Sequence, residues 1–572
     1  MAPSSVVAHV ISAPCFAFSA EPSKFLMFPI SSFRNSPSPR NNDAKRLRAS
    51  YVFASFSSST DKPNSESHEF TIKKLRNILA SKNGENQFES LEMIDAIQRL
   101  GIDHHFRCEV EEILGTLYKQ GCRYGCYGHH DLREVALCFR LLRQGGHHIP
   151  QSTFDVIRDK DGGFKDELQN DIKGLLELFE ASQLSIEGEE MLDNAREFAV
   201  NRLKELCLTT ETGQRQIILD ILDRPLHKTL SRLTNKRFIS MRSNIGGEKE
   251  WWQSLQSVAE IDFKTLKSLH QEEISQNFKW WRDLGLAKKL RKARDQPLKW
   301  CTWSMAILQD RDLSDQRLDL TKPISLIYVI DDIFDVYGGL EELTSFTHVV
   351  ERWDYEELEN LPSHMRVCFE ALDMVTVEIS LKVYQKYGWN PMDSLRKSWG
   401  RLCRAFLVEA KWFEKGYLPS TEEYLENGME SSGAHLVMLH VFFLLGGEIT
   451  KEKVELIESN PKIVSSTAAI LRLWDDLGTA KDENQDGFDG SYIECYMNQN
   501  KGSTIGEART HVVQMISKAW KCLNEECLNP KPFSRSSFAK ACLNLARTVP
   551  MMYSYDDHHR LPHLDEYLKS FN

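Results

Sequence analysis

Long apolar runs are missing from this 572-residue chain. None reaches the roughly 20 residues that a membrane-spanning helix needs. The strongest, around Val441-Phe-Phe-Leu-Leu445, is too short. An excess of positive charge is missing as well. The formal net charge of −11 argues against nucleic acid as a main partner, because phosphate backbones recruit basic faces. The 13 cysteines lack paired spacing, so they read as reduced thiols in a reducing compartment and not as a disulfide framework. Cys122-x3-Cys126 followed by His129-His130 fits no standard zinc spacing. Alternating strand patterns are scarce, and no self-similar period recurs, which argues against a solenoid.

What remains is an ordinary globular composition, 41% hydrophobic and 27% charged, with a generous 12 tryptophans to line a pocket. The first 60 residues differ from the rest: they carry 14 serines and 6 lysines or arginines against only two acids, Glu21 and Asp43. An Arg- and Ser-rich, acid-poor leader predicts an organelle transit peptide, hence a plastid stromal protein, or a cytosolic one if the leader is skipped. From about Ser67 onward the apolar spacing is helical, as in Ser90-Leu-Glu-Met-Ile-Asp-Ala-Ile-Gln-Arg-Leu100. The expectation is an all-α protein in two helical domains, with a boundary inside Ile245–Gln276. That divides the chain into a leader (1–60), an N-terminal helical domain (61–260) and a C-terminal helical domain (261–572).

The chemistry lies in two acidic motifs. Ile324-Ser-Leu-Ile-Tyr-Val-Ile330 runs into Asp331-Asp332-Ile-Phe-Asp335, and Ala468-Ala-Ile-Leu-Arg-Leu-Trp474 runs into Asp475-Asp-Leu-Gly-Thr479-Ala-Lys-Asp-Glu483. Residues i and i+4 share a helix face, so Asp331 pairs with Asp335, and Asp475 aligns with Thr479 and Glu483. Inward carboxylates repel and resist desolvation, so they require protons or cations. An all-oxygen set suits a hard divalent ion, Mg2+ or Mn2+. Arg472, one turn before Asp475, is placed to grip a phosphate oxygen, which points to a diphosphate as the companion anion. In an all-helical chain, a bundle brings two such distant helices face to face.

With these motifs the sequence resembles the plant terpene synthases of the metal-ionising kind. The resemblance extends over nearly the whole chain after the leader, through Gly101-Ile-Asp-His-His-Phe106, Phe139-Arg-Leu-Leu-Arg-Gln144, Trp280-Trp-Arg-Asp-Leu-Gly-Leu286, Arg352-Trp-Asp354, Glu409-Ala-Lys-Trp412 and Ser431-Ser-Gly433. It implies an N-terminal α-barrel-like domain without catalysis of its own and a C-terminal class I terpenoid synthase bundle. It also implies three Mg2+ ions held by Asp331, Asp332, Asp335, Asp475, Thr479 and Glu483, an allylic diphosphate substrate, and a monomer. By the same resemblance Trp303 and Tyr553 are pocket aromatics, and Ser432 lies in a helix break whose carbonyls steer a cation.

Two departures refine this. Where the family carries Arg-x-Arg, this chain reads Arg294-Asp295-Gln296, so Arg294 alone is left to bind diphosphate. No Arg-Arg pair exists anywhere, whereas many cyclising members carry one near the N-terminus. The Asp-x-Asp-Asp signature of protonation-initiated cyclases is also missing. The resemblance is then greatest to the acyclic type. It implies ionisation of geranyl diphosphate and water capture to give linalool, with nerolidol from farnesyl diphosphate. Proton loss to myrcene or ocimene is the alternative. A prenyltransferase is disfavoured by Thr479 and Glu483, and a non-catalytic helical binding protein by the complete ligand set.

Overall fold

The computed structural model describes residues 65–124, 131–235, 238–239, 249–447, 449–482, 490–554 and 561–569. The expected leader, Glu483, Cys126, His129 and His130 lie outside them. Among the described residues there is no strand, only an isolated bridge between Arg158 and Phe164.

Helices α1 (Ser65–Glu85), α2 (Gln87–Leu100), α3 (Arg107–Tyr124), α4 (Leu132–Gln144), α5 (Ile172–Ser182), α6 (Glu190–Cys207) and α7 (Thr212–Asp223) surround one apolar core that includes Leu79, Met93, Phe106 and Leu141. Their ends are set by local chemistry. The Asn86 side chain accepts from the Glu89 N–H to start α2, and Gly101, at φ +70°, ends it. The Phe139–Gln144 segment is structural: Arg140 is wholly buried and donates to Asp95 (2.5 Å) and Glu177 (3.1 Å). Arg143 pairs with Glu189 and caps the Ile149 and Leu184 carbonyls.

A second core is built by α8 (Trp252–Leu284), α9 (Pro297–Ile307), α10 (Ser314–Asp332), α11 (Leu340–Arg352), α12 (Ser363–Tyr387), α13 (Met392–Lys415), α14 (Thr421–Ser431), α15 (Ala434–Leu445), α16 (Lys462–Asp482), α17 (Ile505–Leu528) and α18 (Ser537–Tyr553). The 33-residue α8 belongs to both cores: Trp252, Leu255 and Val258 pack into the first, Ile274 and Trp281 into the second. The change of texture seen in the sequence near Ile245–Gln276 is therefore no linker within α8. The chain passes from one core to the other along an unbroken helix, and Leu230 and Leu233 already belong to the second core.

The apolar stretch around Val441 also extends further than the sequence suggested. Thr421–Leu445 is long and apolar enough to cross a membrane, but 78% of its apolar window is buried inside the protein, which makes it a core element.

Polar contacts join the two cores. Asn524 of α17 donates to the carbonyls of Gln183 (3.0 Å) and Ser185 (2.9 Å), and its amide oxygen meets His227 Nε2 at 2.7 Å. Lys521 pairs with Asp193 at 2.6 Å, and Arg547 donates to the His227 carbonyl at 2.8 Å. Burial, with Arg547 nearby, pushes the His227 imidazole down to about 3, so it is neutral in the folded protein. Because the unfolded chain accepts that proton near 6.5, the stability His227 contributes is complete above pH 6.5 and is lost as pH falls. We expect the unfolding free energy from urea titrations to fall between pH 7 and pH 5.5 by up to roughly 1.4 kcal/mol per pH unit, and His227→Gln to flatten that slope.

Candidate active site

The first motif ends α10, a helix fixed at its start by a buried ion pair. Arg317 and Glu273 of α8, each 1% exposed, meet at 2.7 Å, and Arg317 also caps the Leu308 and Asp310 carbonyls. Breaking such a pair costs about 3–5 kcal/mol, so α10 is firmly held against α8. Pro323 lies inside α10 and removes one ladder donor. The α-helical register stops at Asp332, and Ile333–Tyr337 form a π-turn closed by Gly338 N–H to the Ile333 carbonyl at 3.2 Å. Asp331 and Asp335 are thus not on a single α-helix, as the sequence pattern suggested. They remain close enough to repel: desolvation first, and the Asp331 charge next, hold the Asp335 carboxyl well above the ordinary carboxylate range.

Arg294 serves as their counter-charge. Its guanidinium pairs with Asp331 and, at 2.8 Å, with Asp332 Oδ1, while its backbone N–H donates to Asp332 Oδ2 at 2.7 Å. Its guanidinium also stacks 5.0 Å from the Tyr328 ring. Trp281 of the Trp280–Leu286 segment donates to Asp295 at 2.9 Å and so fixes the neighbouring backbone. Despite Arg294, burial keeps Asp332 up at about 6. Gln296, where the family has arginine, is exposed. The basic run Lys288–Lys292 stands beside the π-turn, with its lysine and arginine side chains exposed and the Lys292 N–H donating to Tyr337 Oη at 2.6 Å.

The second motif lies on α16. Arg472 pairs with Asp476, at 3.1 Å, and with the Tyr424 hydroxyl, at 2.9 Å. Tyr424 in turn donates to Asp476 at 2.9 Å, and the Tyr492 N–H donates to the other Asp476 oxygen at 3.1 Å. The Asp475 charge is felt by both Arg472 and Tyr328. The Thr479 side chain, like Glu483, lies outside what is described. Gly478 leaves room where α16 meets the end of α18: a Cβ there would stand 2.2 Å from the Tyr553 carbonyl oxygen.

One acid connects the two motifs and was not singled out as a site residue from sequence. Glu409 on α13 accepts from Ser431 Oγ (2.6 Å) and Asn427 (3.2 Å). Burial raises it, the Arg472 charge opposes that, and Asp331 adds to it. Its signal was present in the Glu409-Ala-Lys-Trp412 segment, but a single glutamate on a helix does not reveal its facing. Tyr328 and Tyr424, one apolar-helix residue and one in a polar stretch, were missed for the same reason.

Below the acids stands an aromatic wall. Trp303, 5% exposed, donates to Tyr328 Oη at 3.0 Å, and its ring lies 6.3 Å from that of Tyr553. Lys299 Nζ stands 6.0 Å and 5.8 Å from the Tyr328 and Tyr553 rings. At the Ser431–Gly433 break, Ser432 Oγ donates to the Met429 carbonyl (2.8 Å) and accepts from Ala434 N–H (3.2 Å). Gly433, at φ +72°, lets α15 restart against Ile327 of α10. A cleft of about 630 Å³ opens elsewhere, beside Asp315, Asp319 and Lys322 at the start of α10, and none of the motif residues lines it.

The site therefore gathers Asp331, Asp335, Glu409, Arg472 and Asp475 into one electrostatic neighbourhood above an aromatic wall. Raised acids in an all-oxygen set fit a divalent cation, which would take the place of the protons. The model of the terpene synthase N-terminal domain matches residues 42–222, and that of the terpene synthase family metal binding domain matches residues 282–522. The chain belongs to the terpene synthase family. The S-(+)-linalool synthase (chloroplastic) of Arabidopsis thaliana is 62% identical over 99% of both chains. An (E)-nerolidol synthase of Cannabis sativa is 50% identical, covering 84% of this chain and 88% of its own. Among solved structures, limonene synthase with 2-fluorolinalyl diphosphate superposes with a TM-score of 0.82 at 33% identity, over 88% of this chain and 94% of that one. Grey poplar isoprene synthase with three Mg2+ ions and dimethylallyl-S-thiolodiphosphate gives 0.81 at 33% identity, over 88% and 96%.

In this terpene synthase, Gly478→Ala is expected to push the Tyr553 backbone away from the second motif. Turnover should fall on the order of 100-fold, as misplacements near 1 Å cost, with helical circular dichroism unchanged. Steady-state kinetics on the purified variant checks this.

Proposed function

We propose that this terpene synthase ionises geranyl diphosphate and captures the tertiary cation with water to release linalool, and that farnesyl diphosphate yields nerolidol in the same pocket. The observation that carries this reading is the 62% identity to a linalool synthase over the full chain, with both acidic motifs intact. The nerolidol synthase relatives and the missing Arg-Arg pair agree with it. The Arg- and Ser-rich leader, together with relatives named chloroplastic, supports a plastid location.

Asp331, Asp332 and Asp335 on one side and Asp475, Thr479 and Glu483 on the other would hold the divalent ions, three Mg2+ by analogy with the isoprene synthase, with Mn2+ as a substitute. When bound, these ions act as Lewis acids that stabilise the diphosphate as a leaving group. The chain's own part is positional. Arg472, fixed by Asp476 and Tyr424, presents a charge that need not reorganise. Arg294, tethered to the end of α10, is the second basic group within reach of a diphosphate. The Trp303 face offers negative quadrupole to a delocalised allylic cation, and Tyr328 and Tyr553, packed beside it, help exclude bulk water from the apolar end. No dedicated base is required, because water added to a cation yields its proton readily to diphosphate. The working unit is a monomer, and residues 61–260 and 261–572 are its supporting and catalytic domains.

Chiral gas chromatography–mass spectrometry of leaderless protein with Mg2+ tests the reading. The expected products are linalool from geranyl diphosphate and nerolidol from farnesyl diphosphate. Myrcene or ocimene as sole products would replace water capture by proton loss, and cyclic products would refute the acyclic assignment. Asp331→Ala is expected to lower product formation by at least about 100-fold while helicity is retained, on the scale of losing a group that stabilises developing charge.

A further inference from the structure

A second group of ligand-type side chains lies in the N-terminal half, where the Gly101–Phe106 segment folds against α8. The short 3-10 turn Asp103–His105 presents His104 and His105, α1 supplies His68, and α8 supplies Asp262. His105 Nε2 stands 2.8 Å from Asp262 Oδ2, His104 Nε2 3.2 Å from the same oxygen, and His68 Nε2 3.5 Å from Oδ1. Ligand atoms of His68, His105 and Asp262 all lie within 4.8 Å of one another. The turn is held in place by Arg76, which donates to the His105 carbonyl at 2.9 and 2.7 Å.

Hydrogen bonding alone accounts poorly for this convergence. The Asp262 carboxylate has acceptor sites enough for three imidazole donors, but three imidazolium ions so close together would repel. His104 and His105 rings are only 4.0 Å apart. His68 Nδ1 is buried without a hydrogen-bond partner, so that ring is not satisfied by its present contacts. With their imidazoles neutral, His68 and His105 join Asp262 in an N-and-O donor set of net charge −1. Tetrahedral zinc with bonds of 2.0–2.1 Å sets its ligand atoms about 3.3 Å apart, and the Asp262 oxygens stand 2.8 Å from His105 Nε2 and 3.5 Å from His68 Nε2. Imidazole nitrogen favours Zn2+ over the hard Mg2+ ion.

We propose that His68, His105 and Asp262 hold a structural Zn2+ ion, with water completing the shell, and so pin α1 and the Asp103–His105 turn to α8. The site is separate from the acidic motifs and uses different ligand chemistry.

The test uses untagged full-length protein, stripped with chelator and held in excess Mg2+ so that the acidic motifs are occupied. Calorimetric titration with Zn2+ is expected to give one ion per chain and a rise in melting temperature on the order of 3 °C at saturation. Co2+ in place of Zn2+ should give the intense visible bands of a tetrahedral nitrogen–oxygen site. His105→Ala and the milder His68→Gln and Asp262→Asn should each lose the bands and the stabilisation while Mg2+-dependent product formation persists. The proposal is overturned if Zn2+ adds no stability beyond Mg2+. It is equally overturned if stoichiometric Zn2+ binding survives in all three variants, or if Co2+ gives only the weak spectrum of an octahedral aquo site. Those outcomes would make the cluster a proton-bridged clamp.

Discussion

Carboxylates turned inward from facing helices repel one another, and the architecture of the C-terminal half answers that repulsion. Asp332, Glu409 and Asp476 are all held above their ordinary range, chiefly by desolvation. A fold that only sought stability would replace such a group with apolar side chains, since buried charge rarely repays its desolvation. Retaining it has a structural consequence. Two arginines are drawn in as counter-charges, Arg294 from the segment before α9 and Arg472 from within α16, and each is itself locked by aromatic contact, with Tyr328 and Tyr424 respectively.

The remainder of the bundle holds that arrangement still. α10 is anchored at one end by Arg317 and Glu273, and its motif end widens into a π-turn, a distortion tolerated because the core residues Ile333 and Phe334 remain buried. α16 is pressed so closely on α18 that only glycine fits at 478. α13 and α14 bring Glu409 and Tyr424 toward α16, linked through Ser431 at the helix break. Rigidity here has a chemical use. Donors that do not reorganise when charge develops stabilise it more than mobile ones do.

Much of this was legible in the sequence because it follows periodicity. The apolar runs before Asp331 and Asp475 declare buried helices that end in acids, and two such helices require a bundle. What was not legible is the facing of single residues. Glu409 and Tyr424 carry no local pattern that separates them from core or surface positions. The pairing of Arg472 with Asp476 depends on where Tyr424 arrives from another helix. The π-turn was hidden too, since Asp331 and Asp335 keep ordinary i, i+4 spacing in sequence. Where the boundary falls was not legible either, because the polar stretch around Ser243–Glu248 looks like a linker whether or not a continuous helix follows.

The two arginines also differ in a way that bears on the missing Arg-x-Arg partner. Arg472 is paired with Asp476, which is held by Tyr424 and the Tyr492 N–H and is not among the candidate metal ligands. Its charge is therefore available to a diphosphate without any change in its own contacts. Arg294 is paired with Asp331 and Asp332, which are candidate ligands, so its guanidinium is available to an anion only when those carboxylates have another counter-charge. Gln296, neutral and exposed, cannot take over that duty. On the proposed reading, a diphosphate would meet one permanent guanidinium and one conditional one. Weaker retention of a diphosphate favours early escape of an allylic cation from its counter-ion, which is the condition under which water capture competes with ring closure.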